Sequence, residues 1–196
     1  SSRGPTRSFY TDAGGVKRYD HILKPELVAP GNKVVAARSK DNLLAEANPI
    51  LEITSDGTND DTQLVYLSGT SMATPVVSGA AALLLQANPK LTPNMVKMIL
   101  MYTAQPIAGF NHLEQGAGQL NVEGAVRVAK LVRQDLTATT TLGTPMLTTT
   151  TLPVQQSTIA GQTVLWSQGI MADRGFVQGT KLITDYQKVY GLGLLV

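Results

Sequence analysis

The chain lacks cysteine, carries little net charge and contains no long apolar run. Without cysteine it forms no disulfide bond, although this does not decide the compartment, because many secreted bacterial proteins also lack the residue. The 16 lysine and arginine residues outnumber the 14 aspartate and glutamate residues by only two, and no basic run is present. This balance gives no indication of nucleic-acid binding. The longest apolar run, Gly79 to Leu85, is far too short to span a membrane.

The remaining composition is typical of a globular protein with a core. Hydrophobic residues make up 43% of the 196 residues and charged residues 15%. Near Arg133 the composition changes, and a threonine-rich stretch runs from Thr137 to Thr151. Because β-branched residues favour extended structure, we predict one domain over residues 1–133 and a Thr-rich, β-forming extension over residues 134–196.

Apolar spacing and turn residues predict the main elements. Strands are expected at residues 27–29, 34–37, 64–67, 164–166 and 181–183, and the polar residues 38–63 between two of them predict a loop. Helices are expected at residues 71–86, from residue 93 onward, and at residues 121–132. Thr92 and Pro93 are suited to cap and open the second helix. The first helix is apolar nearly all round, which predicts burial in the middle of a domain.

A serine stands in the first turn of that apolar helix, within Gly69-Thr70-Ser71-Met72-Ala73-Thr74-Pro75. A serine hydroxyl is a poor nucleophile unless a base takes its proton and donors face the developing oxyanion. A helix N-terminus supplies free N–H groups and the positive end of the helix dipole. Gly69 permits the turn and the close approach of a substrate. Ser71 could instead simply cap the helix, which is a common role for serine.

Three segments taken together are similar to the subtilisin-like serine proteases, the subtilases. Residues 69–79 resemble the serine signature of that family throughout, including a proline one turn into the helix. Residues 1–5 with 24–31 resemble the segment ahead of the serine, and residues 116–121 with 125–126 resemble the end of the catalytic domain. The resemblance covers about residues 1–133.

The resemblance implies an α/β fold, with part of a parallel sheet flanked by helices and the serine helix at its centre. It implies that Ser71 is the nucleophile that forms an acyl-enzyme and that its backbone N–H is one oxyanion donor. Gly69 and Thr70 would support the turn and the substrate. The substrate would be a polypeptide, the location extracellular, and no cofactor would be required for the chemistry.

The family motifs that hold the catalytic Asp, the catalytic His and the oxyanion Asn precede this region in subtilases, and the sequence has none of them. His21 and His112 stand outside the family's histidine motif, which favours ordinary surface or turn histidines. We therefore expect the C-terminal half of a catalytic domain, inactive alone and completed by the N-terminal half of the same protease. The alternative is a processed, inactive fragment that assembles with copies of itself into an oligomer or filament.

Three acidic residues, Asp56, Asp60 and Asp61, lie in the polar stretch before the serine motif. Subtilases often bind calcium, and these carboxylates are ligands of the right type. Their spacing does not match the EF-hand calcium loop, which favours a solvated loop. The resemblance therefore leaves room for a structural calcium ion, but the sequence does not locate its ligands.

Overall fold

A computed structural model describes residues 3–53, 63–137, 139–141, 144–179 and 182. The chain divides into two compact units. The smaller unit is Ala29–Val77, and the larger unit combines Ser1–Val28 with Ser78–Val196. The division into a domain and an extension near residue 133 stays a prediction.

The described residues form nine short strands and five α-helices. The strands are β1 (Phe9–Thr11), β2 (Lys17–Tyr19), β3 (Val34–Ala37), β4 (Glu52–Ile53), β5 (Leu64–Leu67), β6 (Gln156–Ile159), β7 (Gln162–Leu165), β8 (Gly169–Ala172) and β9 (Gly175–Gln178). The helices are α1 (Leu43–Ala47), α2 (Thr70–Ala87), α3 (Pro93–Tyr102), α4 (His112–Gln115) and α5 (Val122–Ala129). A 3-10 turn at Pro49–Leu51 follows α1.

The smaller unit is built on a three-stranded antiparallel sheet in the order β3, β5, β4. Val34 pairs with Leu67 at one end of the β3–β5 ladder, and Val65 of β5 is buried. The strands predicted at residues 34–37 and 64–67 are therefore confirmed. The loop predicted at residues 38–63 is wrong in part, because α1, the 3-10 turn and β4 lie within it. The side chain of Asn42 starts α1 by accepting a hydrogen bond from the Ala45 N–H.

The core of the larger unit is centred on α3, which packs against α5 and β8. The Thr92 hydroxyl accepts a hydrogen bond from the Met95 N–H at 3.2 Å, and Pro93 occupies the first turn, as predicted. Asn121 caps α5 in the same way, and the helix ends at Ala129, three residues before the predicted end. Seven of the ten residues of α3 are buried: Met95, Val96, Met98, Ile99, Leu100, Met101 and Tyr102.

The parallel part of the sheet is represented by one bridge, between Val28 and Gln119. The Leu120 N–H donates to the Val28 carbonyl, and the Val28 N–H donates to Gly118, at 2.8 and 2.9 Å. The strand pairs among the described residues are antiparallel. The fold is α/β, as expected, and its parallel bridge joins two segments separated by α2, α3 and α4, since parallel pairing requires a long crossover.

The extension contains two hairpins, β6–β7 and β8–β9. Its strands therefore lie after the threonine-rich stretch, whose described residues form turns and the single bridge between Val132 and Leu147. The strand predicted at residues 164–166 corresponds to β7. The strand predicted at residues 181–183 falls outside the described residues except for Leu182, which is buried and helical, so the prediction is wrong at that residue.

Helix α2 has the predicted position but not the predicted burial. Among its 18 residues only Ala80 and Leu84 are buried, whereas Leu83 and Leu85 are 47% and 43% exposed. A helix that is apolar on all sides needs neighbours on all sides, and the described residues cover only one of them. By length and composition α2 could cross a membrane, but the core helix of a soluble protein passes the same test, so this evidence is weak.

Candidate active site at the start of helix α2

The serine motif forms a tight turn into α2. The Gly69 carbonyl accepts hydrogen bonds from the N–H groups of Met72 and Ala73, at 3.1 and 3.2 Å, and the helix begins at Thr70. Gly69 is therefore the N-terminal cap of α2. Its φ of +153° lies in a region that side chains with a Cβ rarely adopt. The turn requires glycine at this position, as the sequence predicted.

Ser71 is the second residue of α2, and its side chain is exposed. A capping serine precedes the helix and accepts a hydrogen bond from an N–H two or three residues further on. Gly69 holds the capping position here, and no described residue forms a hydrogen bond with the Ser71 hydroxyl. The geometry therefore does not support the capping interpretation of Ser71.

The N–H groups of Thr70 and Ser71 stand at the open end of the helix. They precede the first intrahelical donor, so helix geometry offers them no carbonyl acceptor. Within the described ranges no residue accepts a hydrogen bond from either group. Two unpaired donors beside the positive end of an 18-residue helix dipole form a suitable environment for a negative charge that develops on a substrate oxygen.

The segment after Pro30 holds this turn in place. The Gly69 N–H donates to the Gly31 carbonyl at 2.7 Å. A Cβ added to Gly31 would lie 2.6 Å from the Gly69 carbonyl oxygen and 3.0 Å from the Ala73 Cβ. Gly31 thus permits two backbone segments to approach more closely than any other residue would allow. The sequence marked Pro30 and Gly31 only as a turn, and the contact with Gly69 was missed because it depends on tertiary structure.

Pro75 lies inside α2, as the motif predicted. Proline has no N–H, so it cannot donate the usual hydrogen bond to the carbonyl four residues earlier, which is that of Ser71. The Thr74 hydroxyl donates to the Thr70 carbonyl at 2.9 Å. The first turn of α2 is therefore held by a side chain as well as by its backbone.

The two histidines belong to the larger unit, where each has local contacts. His21 is exposed, has a φ of 49° and stacks on Tyr19 with the ring centroids 5.7 Å apart. His112 opens α4, where its Nδ1 lies 2.9 Å from the Gly116 carbonyl oxygen and its ring stacks on Phe176 at 3.9 Å. These contacts agree with the expectation of surface and turn histidines.

The structure does not describe the three aspartates that could bind calcium. Asp56, Asp60 and Asp61 lie outside the described ranges. In the part of the chain that is described, no group of three or more His, Cys, Asp or Glu residues could hold a metal ion. A structural calcium ion therefore stays a prediction without a location.

Comparison with known proteins gives one consistent family. The model of the subtilase family matches residues 2–151. The serine protease AprX of Bacillus subtilis (strain 168) is 36% identical over 103 residues, which are 53% of this chain and 22% of that protein. The subtilisin-like protease SBT4.4 of Arabidopsis thaliana is 32% identical over 129 residues, 63% of this chain and 16% of that protein.

Among solved structures, fervidolysin of Fervidobacterium pennivorans, a keratinolytic enzyme related to subtilisin, is similar at 26% identity with a TM-score of 0.40. That match covers 58% of this chain and 17% of the other. The chain thus spans less than a quarter of the length of each of these three proteins.

Proposed function

The chain belongs to the subtilase family of serine proteases, and we propose that its Ser71 is the nucleophile in the hydrolysis of peptide bonds. One observation carries this proposal: Ser71 lies exposed in the first turn of α2, with its hydroxyl engaged by no described residue and its N–H unpaired. Gly69 and Thr70 support it by forming the turn and by presenting a second unpaired N–H. The substrate is a polypeptide.

The proposed chemistry proceeds through an acyl-enzyme. A histidine base takes the proton from the Ser71 hydroxyl while the Ser71 Oγ forms a bond to the substrate carbonyl carbon. The Ser71 N–H, with an asparagine side chain, stabilises the negative charge that develops on the carbonyl oxygen. The peptide C–N bond then breaks, the histidine protonates the leaving amine, and water releases the acyl group. No cofactor takes part in these steps.

The Asp, His and oxyanion Asn are proposed to come from an upstream half of the same protease. Two observations support this half as the partner. The chain spans 22% and 16% of the two curated relatives, and α2 exposes Leu83 and Leu85 where a buried helix would have neighbours. The upstream half would cover α2 and complete the site, and the chain alone would be inactive. We further propose an extracellular location and leave room for a structural calcium ion.

The exposed apolar face of α2 also supports a second candidate function. A processed, inactive fragment could bury Leu83 and Leu85 against copies of itself, because exposed apolar surface favours association. The edges of the two-stranded hairpins, which pair with no further described strand, would add to this tendency. In this case the chain has a structural role in an oligomer or filament.

Labelling with a fluorophosphonate tests the nucleophile. The full-length protein should be labelled at Ser71 and should cleave casein, and Ser71→Ala should lose both activities by several orders of magnitude while its circular dichroism is unchanged. Ser39→Ala, at an exposed serine of the same unit, is the matched control and should keep both. Proteolysis that survives Ser71→Ala would refute the assignment.

Experiments on the isolated chain distinguish the two candidate functions. If an upstream half is required, this chain should not be labelled, and stoichiometric labelling would contradict that requirement. Light scattering tests the alternative, because a stable monomer of 20.8 kDa excludes self-assembly and a larger, concentration-dependent mass supports it.

A further inference from the structure

Ser68 connects the two backbone segments that meet before the serine helix. Its hydroxyl accepts a hydrogen bond from the Lys33 N–H at 2.8 Å and donates one to the Asn32 Oδ1 at 2.9 Å. One residue later, the Gly69 N–H donates to the Gly31 carbonyl at 2.7 Å. Three hydrogen bonds therefore tie residues 31–33 to residues 68–69, immediately ahead of Ser71.

The backbone at Lys33 is held in an unfavourable conformation. Lys33 has a φ of +50°, in the left-handed region that residues with a Cβ rarely adopt. Such a conformation persists only where surrounding contacts impose it, and it occurs preferentially near functional sites. The Ser68 hydroxyl provides one such contact, because it accepts a hydrogen bond from the N–H of Lys33 itself.

These hydrogen bonds fix geometry and bury little surface. Asn32, Lys33 and Ser68 are all exposed. A hydrogen bond between exposed groups replaces one with water, so its net contribution to the free energy of unfolding is small. Its geometric effect is larger, because Gly69 caps α2 and any displacement of Gly69 moves the hydroxyl and the N–H of Ser71. Effective attack requires the reacting atoms to be held in a narrow range of distances and angles.

We propose that Ser68 is a positioning residue for Ser71, acting through its hydrogen bonds to Asn32 and Lys33. This inference rests on the proposed function of Ser71 as the nucleophile. In the absence of the Ser68 hydroxyl, the Lys33 N–H loses its acceptor. Beyond the Val34–Leu67 end of the β3–β5 ladder, the two segments are then joined by the bond between Gly69 and Gly31 alone among the described hydrogen bonds. The serine turn then samples positions from which attack is slow.

The test measures steady-state kinetics and labelling in the full-length protein. Ser68→Ala should lower kcat by about tenfold, with KM within about twofold, because orientation and not substrate binding is lost. The rate of fluorophosphonate labelling at saturating reagent should fall by the same factor. Ser68→Thr keeps the hydroxyl and should restore both rates. Ser39→Ala should leave both rates unchanged, because the hydroxyl of Ser39 accepts a single long hydrogen bond from the described residues, that of Asn42 at 3.4 Å.

Asn32→Ala provides a second measurement if Ser68→Ala unfolds below the assay temperature. It removes only the acceptor of the Ser68 hydroxyl and should lower kcat in the same direction by a smaller factor. An unchanged kcat in Ser68→Ala, with or without a lower unfolding midpoint, would show a structural role and overturn the inference. So would an equal loss in Ser68→Ala and Ser68→Thr. Full activity in Ser71→Ala would instead refute the nucleophile, and the positioning role with it.

Discussion

The carboxylate of Glu26, in the larger unit, forms ion pairs with two lysines. Lys97 approaches it to 2.8 Å, and Lys24 forms a second ion pair with the same oxygen. Burial by itself would raise the pKa of Glu26, but the hydrogen bonds from the two lysines outweigh it and hold the pKa below its usual 4.5. The Glu26 carbonyl also accepts a hydrogen bond from the Ala117 N–H at 2.9 Å, so this residue lies two positions before the parallel bridge at Val28.

The lowered pKa of Glu26 predicts an effect of acid on stability. A carboxyl whose pKa is lower in the folded state contributes stability above its unfolded pKa, near 4.5, and this contribution is lost as the pH falls through the folded pKa. Glu26→Gln should therefore lower the free energy of unfolding at pH 7 and flatten its decline below about pH 4.5. Urea titrations between pH 3 and pH 7 measure this. Glu46→Gln, at an exposed residue of α1, is the control, and an unchanged slope in Glu26→Gln would contradict the prediction.

At the scale of the element, two helical glycines have opposite surroundings. Gly79 of α2 is exposed, and a Cβ added there would meet no described atom within 4 Å. Gly124 of α5 is buried, and a Cβ there would lie 2.8 Å from the Trp166 ring and 3.0 Å from Asn121 Nδ2. Helix propensity favours alanine at both positions, so the surroundings decide the difference.

The two glycines therefore predict substitutions of opposite sign. Gly79→Ala should stabilise the isolated chain by about 0.5–1 kcal/mol, because alanine loses less backbone entropy in a helix. Gly124→Ala should destabilise it by about 1–3 kcal/mol, because the added methyl group displaces Trp166 or the α5 backbone. Urea denaturation of both variants measures this, with each serving as the control for the other. A destabilising Gly79→Ala would show that another surface covers α2 at this point.

At the scale of the whole molecule, the extension is part of the core of the larger unit. Trp166 is 3% exposed, and its indole N–H donates to the Ser157 hydroxyl at 3.0 Å. Asn121, the cap of α5, donates to the same hydroxyl at 2.9 Å, and the guanidinium of Arg127 lies 4.9 Å from the centre of the Trp166 ring. Trp166 and Ser157 of the extension are thereby joined to the cap and to the last turn of α5.

Removal of the Trp166 side chain should therefore destabilise the entire larger unit. Trp166→Ala should lower the free energy of unfolding by about 3–5 kcal/mol, since it leaves a cavity and removes one of the hydrogen-bond donors to Ser157. Leu165→Ala is the matched control, because its side chain is 66% exposed, and it should cost far less. Thermal unfolding followed by circular dichroism compares them. Equal effects of the two substitutions would show that the extension does not contribute to the core.

Local sequence signals predicted much of the fold. Thr92 and Pro93 start α3, and the strands at residues 34–37 and 64–67 have the predicted bounds. The helix that contains Ser71 was also predicted to within one residue at each end. These features depend on caps, turn residues and apolar spacing, which act between residues close in the chain. The loop predicted around residues 38–63 was wrong because α1 is only five residues long, and such a short helix leaves little periodicity to detect.

Contacts between distant segments could not be predicted in this way. The hydrogen bond between Gly31 and Gly69, and the contacts of Ser68 with Asn32 and Lys33, join residues more than 30 positions apart. The exposure of α2 likewise depends on which segments pack around it, whereas its composition alone predicted burial. Sequence spacing does not encode such distances.

The sequence by itself determined the family and the place of Ser71, because a signature of consecutive residues sets the turn and the start of a helix. Only the tertiary structure decided how that turn is held and how much of α2 the described residues cover. It also decided that the extension packs on α3 and α5. Packing and hydrogen bonding across the fold depend on where distant segments meet, and their free energies arise only once the chain has folded.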